Sequence, residues 1–165
     1  NKPFGVPVQP DKSGDKSLLE IMKDFIKEEY NKPGDVYLGL IHRVDRPVSG
    51  IVIFAKTSKA LTRMNEIFRT RDVKKTYWAI TKGKPATESG TLTHYMIKNQ
   101  EKNSSKAYSK EKNGSKLAVL DYILKARIGE KILLEVNLHS GRHHQIRCQL
   151  AKVALNIIST DVEVA

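Results

Sequence analysis

The chain has 165 residues, 39% of them hydrophobic, enough to bury one ordinary core, and a single domain over 1–165 is expected. Twenty-nine lysines and arginines against 18 aspartates and glutamates leave a formal charge of +11, which concentrates polyanions near the surface and ranks nucleic acid ahead of other partners. The single cysteine, Cys148, excludes an internal disulfide and a cysteine-based zinc site. With no apolar run near the ~20 residues of a membrane span and no signal-peptide pattern, a soluble, cytoplasmic protein without membrane association is expected.

The opening Asn1-Lys2-Pro3-Phe4-Gly5-Val6-Pro7-Val8 carries too many breakers for a helix and reads as extended or turning chain. Ser17 to Tyr30 predicts a helix: Leu18, Met22, Phe25, Ile26 and Tyr30 recur at helical spacing, and Ser17 with Glu20 forms a capping box. Asn31-Lys32-Pro33-Gly34 stops it. Val36 to Leu40 reads as a short strand, and Ile51-Val52-Ile53-Phe54-Ala55 as a fully buried one. Thr57 is placed to cap a second helix bearing Ala60, Leu61, Met64, Ile67 and Phe68 on one face.

Val73 to Lys82 alternates as a strand, with Tyr77, Ala79 and Thr81 on one side and Thr76, Trp78 and Ile80 on the other. Trp78 is assigned to the core. Thr91 to Ile97 follows as another strand, and 99–115, rich in Lys, Ser and Asn, reads as an exposed loop or flexible hairpin able to touch a polyanion. Leu117–Arg127 and Lys131–His139 predict a hairpin around Ile128-Gly129-Glu130. Arg142 to Ala151 places Ile146 and Leu150 one turn apart and favours a helix.

Two segments about a hundred residues apart carry the chemistry. His42-Arg43-Val44-Asp45-Arg46-Pro47-Val48-Ser49-Gly50 sets one carboxylate among arginines before a tight turn. Ser140-Gly141-Arg142-His143-His144-Gln145-Ile146-Arg147 is a glycine-led basic segment entering a helix. A carboxylate held anionic by neighbouring cations is a nucleophile candidate, whereas a turn-capping aspartate with solvated arginines is the plainer alternative. Hydrolytic sugar chemistry uses two carboxylates, and this segment offers one, which argues against an ordinary glycosidase. His139, His143 and His144 lack a carboxylate or cysteine in their segment to complete a metal set, so no metal is expected.

The first segment, continuing into Ile51-Val52-Ile53-Phe54-Ala55-Lys56, resembles the signature of the RluA-type pseudouridine synthases, with Val44 and Val48 in place of the family's usual Leu and Thr. Asn1 to Val8 is similar to that family's first motif, Lys75-Thr76-Tyr77-Trp78-Ala79 to its Lys-x-Tyr-x-Ala strand, and Gly141 to Arg147 to its Gly-Arg-x-His-Gln-Ile-Arg segment. The resemblance covers roughly residues 1–151. Residues 152–165 depart from it, as in a catalytic domain that is trimmed or lacks segments, with 155–165 derived from a later part of the sheet.

The resemblance implies an α+β fold, with a mixed, mostly antiparallel sheet, packed helices and a central catalytic cleft. It implies conversion of specific uridines to pseudouridine in structured RNA, rRNA or tRNA, by a monomer that needs no cofactor. Asp45 would be the nucleophile, Tyr77 the platform for the uracil, and Arg147 the cation holding Asp45 ionised. Arg43, Arg46, Arg142, His144, Gln145 and Ile146 would contact substrate, Arg43 filling the space left by a flipped nucleotide. Two other readings stand beside this one: a catalytically silent RNA-binding module of the same fold, and a metal-dependent nuclease using Asp45 with the histidines.

Overall fold

The computed structural model describes every residue except 71, 72, 84, 160–162 and 165, and only the backbone of 159, 163 and 164. The described residues fall into two compact units, Asn1–Val73 and Lys74–Ala165.

In the first unit, helix α1 (Leu18–Glu29) begins where its capping box dictates. The Ser17 backbone N–H donates to Glu20 Oε2 at 2.8 Å, and Glu20 N–H donates back to Ser17 Oγ at 3.4 Å. Leu19, Met22 and Ile26 pack with Val36, Leu38 and Phe54, and Leu18 is buried at the start of the helix. Phe25 and Tyr30, grouped with Leu18, Met22 and Ile26 from spacing, are instead 52% and 56% exposed.

Strands β1 (Gly39–Leu40) and β2 (Phe54–Ala55) make a two-residue antiparallel pair. The strands expected over 36–40 and 51–55 are therefore mostly irregular, and Ile51 is 41% exposed rather than buried. The reason is local: Gly50 bridges to Lys2, and Ile53 N–H donates to the His42 ring at 3.1 Å, so neither bonds along a strand. Helix α2 (Ser58–Thr70) starts under the predicted cap, with Ala60 N–H on Thr57 Oγ1 at 3.1 Å. It packs on β1 at Gly39, where an added Cβ would come within 2.8 Å of Leu61 Cδ2.

The second unit is an antiparallel sheet with one helix. Its strands are β3 (Thr76–Lys82), β4 (Ser89–Asn99), β5 (Ser104–Tyr108), β6 (Lys116–Ile128), β7 (Lys131–Leu138), β8 (Asn156–Ser159) and β9 (Glu163–Val164). The order is β5-β4-β6-β7-β3-β8, with β9 also on β3. Every described pairing is antiparallel, so the α+β expectation holds and "mixed" narrows to antiparallel. The β6–β7 hairpin turns as expected, with Gly129 at φ 58°, the left-handed geometry that primed turns demand.

Of the two readings of 99–115, loop or hairpin, the hairpin holds: the stretch contains β5, paired to β4 from Tyr95↔Tyr108 to Asn99↔Ser104. In β3 it is the Tyr77 side that packs on the core, with Ala79 and Thr81 buried, while Trp78, expected in the core, is 39% exposed on the opposite face. The core gathers Ala79, Leu120, Tyr122, Leu134 and Val136 under Leu150 of helix α3 (Gln145–Lys152), which starts three residues later than expected.

Gln149 fastens α3 to the sheet. Its Nε2 donates to Leu92 O at 2.9 Å and Ala118 O at 3.1 Å and lies 3.2 Å from Nδ1 of buried His94. Burial lowers the His94 pKa, with the nearby Lys152 charge adding to the effect. The unfolded chain thus binds the His94 proton more readily than the folded one. Stability from this site is complete above the ordinary histidine pKa of about 6.5 and is lost as pH falls through the lower folded value. Urea midpoints measured from about pH 7.5 to about pH 5 are expected to fall more for the wild type than for His94→Asn.

Candidate active site

Asp45 lies half-buried in the loop between β1 and β2, and its carbonyl accepts Val48 N–H at 3.0 Å, closing the turn around Arg46 and Pro47. Val48 is buried, so the apolar side chain where the family usually has threonine suits its surroundings. The loop is clamped by a residue whose charge suggests the surface. Lys2 is fully buried, and its ammonium donates to Pro3 O at 3.0 Å, Val6 O at 2.9 Å and Arg46 O at 3.0 Å. Its main chain is bridged to Gly50, N–H to O at 2.6 Å and the reverse at 3.0 Å. Both ends of the turn are therefore tied to the N-terminal segment.

Burial holds the Lys2 pKa below the ordinary lysine value, the Arg46 charge pushes it the same way, and the Asp45 charge pulls it back up. Asp45 therefore shares its field with a desolvated ammonium from its own unit.

The arginines beside Asp45 differ. Arg43 is exposed. Arg46 is turned to its own unit: Nε donates to Gly5 O at 2.8 Å, and the guanidinium pairs with Asp15 and, at 4.0 Å, with Asp11. His42 stacks on Phe68 with ring centroids 5.2 Å apart and accepts Ile53 N–H through Nε2, which leaves the proton on Nδ1.

In the second unit, Tyr77 is half-buried at the start of β3, opposite Val136, packed against the main core. The Ser140–Arg147 segment is built around Gln145. Its Oε1 accepts Ser140 Oγ–H and Arg142 N–H, both at 2.9 Å, and its Nε2 donates to Val119 O at 3.1 Å. Gln145 is buried with both amide ends engaged, which makes it the brace of the turn. His144 caps α3 with φ 54°, a left-handed conformation uncommon for a side-chain-bearing residue, and its ring stacks on His143 at 3.7 Å. Ile146 packs onto the core, and Arg147 projects from the first turn of α3, exposed.

His139 does not join His143 and His144, because its Nε2 pairs with Asp121 Oδ2 at 2.5 Å. Among the described residues no group of three or more His, Cys, Asp and Glu is arranged to hold a metal, and no helix is long and apolar enough to cross a membrane. Sequence reading passed over Lys2 and His42 as functional supports. The signal for Lys2 was a lysine fixed between Asn1 and Pro3, in a segment too rigid to leave it in solvent.

The sequence profile of the family described as RNA pseudouridylate synthase matches residues 1–152, spanning both segments, Lys2 and Tyr77. The chain is 35% identical over 124 residues to a Chlorobaculum parvum protein named an uncharacterized RNA pseudouridine synthase, covering 74% of this chain and 38% of that one. It is 29% identical over 170 residues to ribosomal large subunit pseudouridine synthase D of Borreliella burgdorferi, covering 98% of this chain and 50% of that protein. The chain thus spans half or less of the length of these curated relatives. The structure of human RNA pseudouridylate synthase domain containing 4 shares the fold, with a TM-score of 0.79 over 95% of this chain and 61% of that chain, at 23% identity. From the profile that runs through all four motifs, and from the fold on which they are carried, the chain belongs to the RluA-type RNA pseudouridine synthase family.

Proposed function

We propose that this chain carries the catalytic residues of an enzyme that isomerises uridine to pseudouridine in structured RNA. The observation that carries the reading is Asp45, a carboxylate seated in a loop clamped by buried Lys2, inside the span matched to the family. The reaction breaks the N1–C1′ bond, turns the uracil and forms the C5–C1′ bond; the proton leaving C5 is balanced by one gained at N1. Nothing is oxidised, reduced or hydrolysed.

In this reading Asp45 supplies the nucleophilic carboxylate and Arg147 the cation whose planar guanidinium suits an ionised carboxylate. Tyr77 stacks on the uracil, which must leave its helix or stack to be reached. Arg43, Arg142 and His144 serve the RNA directly. Arg46, Gln145 and Ile146, whose side chains are engaged within their own units, serve it by shaping the two segments. The Borreliella relative's name, ribosomal large subunit pseudouridine synthase, puts rRNA ahead of tRNA as the first substrate to try.

Pseudouridine mapping of rRNA and tRNA incubated with the chain is expected to give modification at specific uridines. Binding without modification would leave the silent RNA-binding reading. Arg147→Lys keeps the charge but loses bidentate geometry. It is expected to lower kcat about 10–100-fold with KM for RNA nearly unchanged. A raised KM with kcat intact would make Arg147 a phosphate contact instead.

A further inference from the structure

The register across β4, β5 and β6 sets Ala107, Met96 and Lys116 in one row and Ser105 and Lys98 in the next. This is the face on which α3 lies. His94, two residues before Met96, faces Gln149, and Ser105 Oγ is 2.8 Å from His143 Nδ1. Cys148 Sγ also reaches Ser105 O at 3.2 Å, so β5 is fastened to the helix. Lys98 and Lys116 are thus exposed cations on the α3 side, diagonal neighbours across β4 and β6, a separation of about 7–8 Å at the backbone.

Arg142 joins them, since its Nε donates to the carbonyl of Leu117, the residue after Lys116, at 3.0 Å. The charge around them is one-sided: 98–116 holds six lysines against two glutamates. Among the described residues Lys98, Lys116 and Arg142 form no ion pair. Other sheet cations do: Lys82 with Glu130 at 3.7 Å, Lys125 with Glu135 at 3.2 Å and Arg127 with Glu88 at 3.9 Å. Cations crowded without counter-charge repel one another, and a polyanion laid across them removes that cost.

We propose that Lys98 and Lys116, continuing from Arg142, form a docking surface for RNA backbone phosphates beside α3. This rests on the reading that RNA is the substrate, and adds two contacts that lie outside the four motifs. Phosphate contacts of this kind hold register and carry no base specificity.

The test is binding of the full chain to a structured RNA stem-loop with loop uridines, titrated over a range of salt. The double variant Lys98→Gln with Lys116→Gln is compared with Lys106→Gln plus Lys131→Gln. The control makes the same charge change at exposed sites, one of them, Lys106, on the opposite face of the hairpin beside Ile97. The Lys98/Lys116 variant is expected to bind on the order of tenfold more weakly at low salt, with the log–log salt slope shallower by roughly 1.4–1.8. The control is expected to lose less than about twofold. Equal losses in both variants, no loss in either, or no salt-dependent binding by the wild type would overturn the assignment. If this pattern holds and no pseudouridine forms, the activity reading falls and the surface stands; if pseudouridine forms and both variants bind alike, the surface falls.

Discussion

Asp45→Asn is expected to lower pseudouridine formation by at least ~10³-fold while leaving RNA affinity and thermal stability close to wild type. The amide has nearly the carboxylate's shape, so the loop keeps its packing. The bonds that fix this loop end on main-chain atoms: Lys2 Nζ on three carbonyls, the Lys2–Gly50 bridge, and Val48 N–H on the Asp45 carbonyl. These backbone acceptors survive the substitution, and what changes at Lys2 is the loss of the Asp45 charge that raises its pKa. What the substitution removes is the anion, and a neutral amide is not a nucleophile toward a nucleoside. Asp45→Glu keeps the anion and displaces it by a methylene, and a misplacement of about 1 Å is expected to cost on the order of 10²-fold. Pseudouridine mapping gives the rates, and salt-titrated RNA binding separates loss of chemistry from loss of docking. Formation by Asp45→Asn within tenfold of wild type would remove Asp45 from the mechanism.

The two segments proposed to carry the chemistry stand out in the sequence because each uses rare local grammar. Asp45 sits in a Pro- and Gly-punctuated turn between apolar runs, and Arg147 follows Gly141 and Gln145 into a helix. Helix α1 was legible from its capping box and the β6–β7 hairpin from Gly129, since both are decided within a few residues. The errors lie where a distant partner decides. An apolar run such as Ile51–Ala55 looks alike whether it pairs or not, and here Ile53 N–H is taken by a side chain, His42, rather than by a strand.

Strand β5 was half-hidden by composition. Its α3-facing positions are Ser105 and Ala107, too small and polar to give an alternating hydrophobic signal, yet they let the helix close on the sheet. Phe25 and Tyr30 share helical spacing with the buried stripe and fall on the wrong side of it, because Leu19, Met22 and Ile26 already fill the contact with Val36 and Leu38. Trp78 exchanged faces with Tyr77, a consequence of strict alternation: a strand's two faces are legible, and which one meets the core is set by the neighbouring strand.

Lys2→Met is expected to destabilise the first unit by about 2–4 kcal/mol and to take activity down with it. Hydrophobicity argues the other way at first, since a buried ammonium is costly to desolvate and a thioether of similar length is not. The cost of desolvation is visible in the lowered pKa of Lys2, caused chiefly by burial and then by Arg46. The outcome turns on the acceptors. Pro3 O, Val6 O and Arg46 O converge on Nζ at 2.9–3.0 Å, and methionine would present them with a sulfur that cannot donate, Arg46 O alone keeping the Gly5 N–H at 3.1 Å. The two part-buried carbonyls left without Nζ, Pro3 O and Val6 O, cost about 1–3 kcal/mol each, which exceeds the relief of removing one charge. The Arg46 carbonyl belongs to the turn that begins at Asp45, so the loop that loses the Nζ clamp is the one proposed to be catalytic. Denaturant unfolding followed by a probe in the first unit, together with pseudouridine mapping, would check both effects. A Lys2→Met protein at least as stable as wild type would show that the ammonium is an electrostatic burden rather than the clamp of the Asp45 loop. Lys2→Arg discriminates further: it keeps the charge and adds donors, but its wider fork does not fit three carbonyls gathered on one nitrogen, and it is expected to rescue stability only in part.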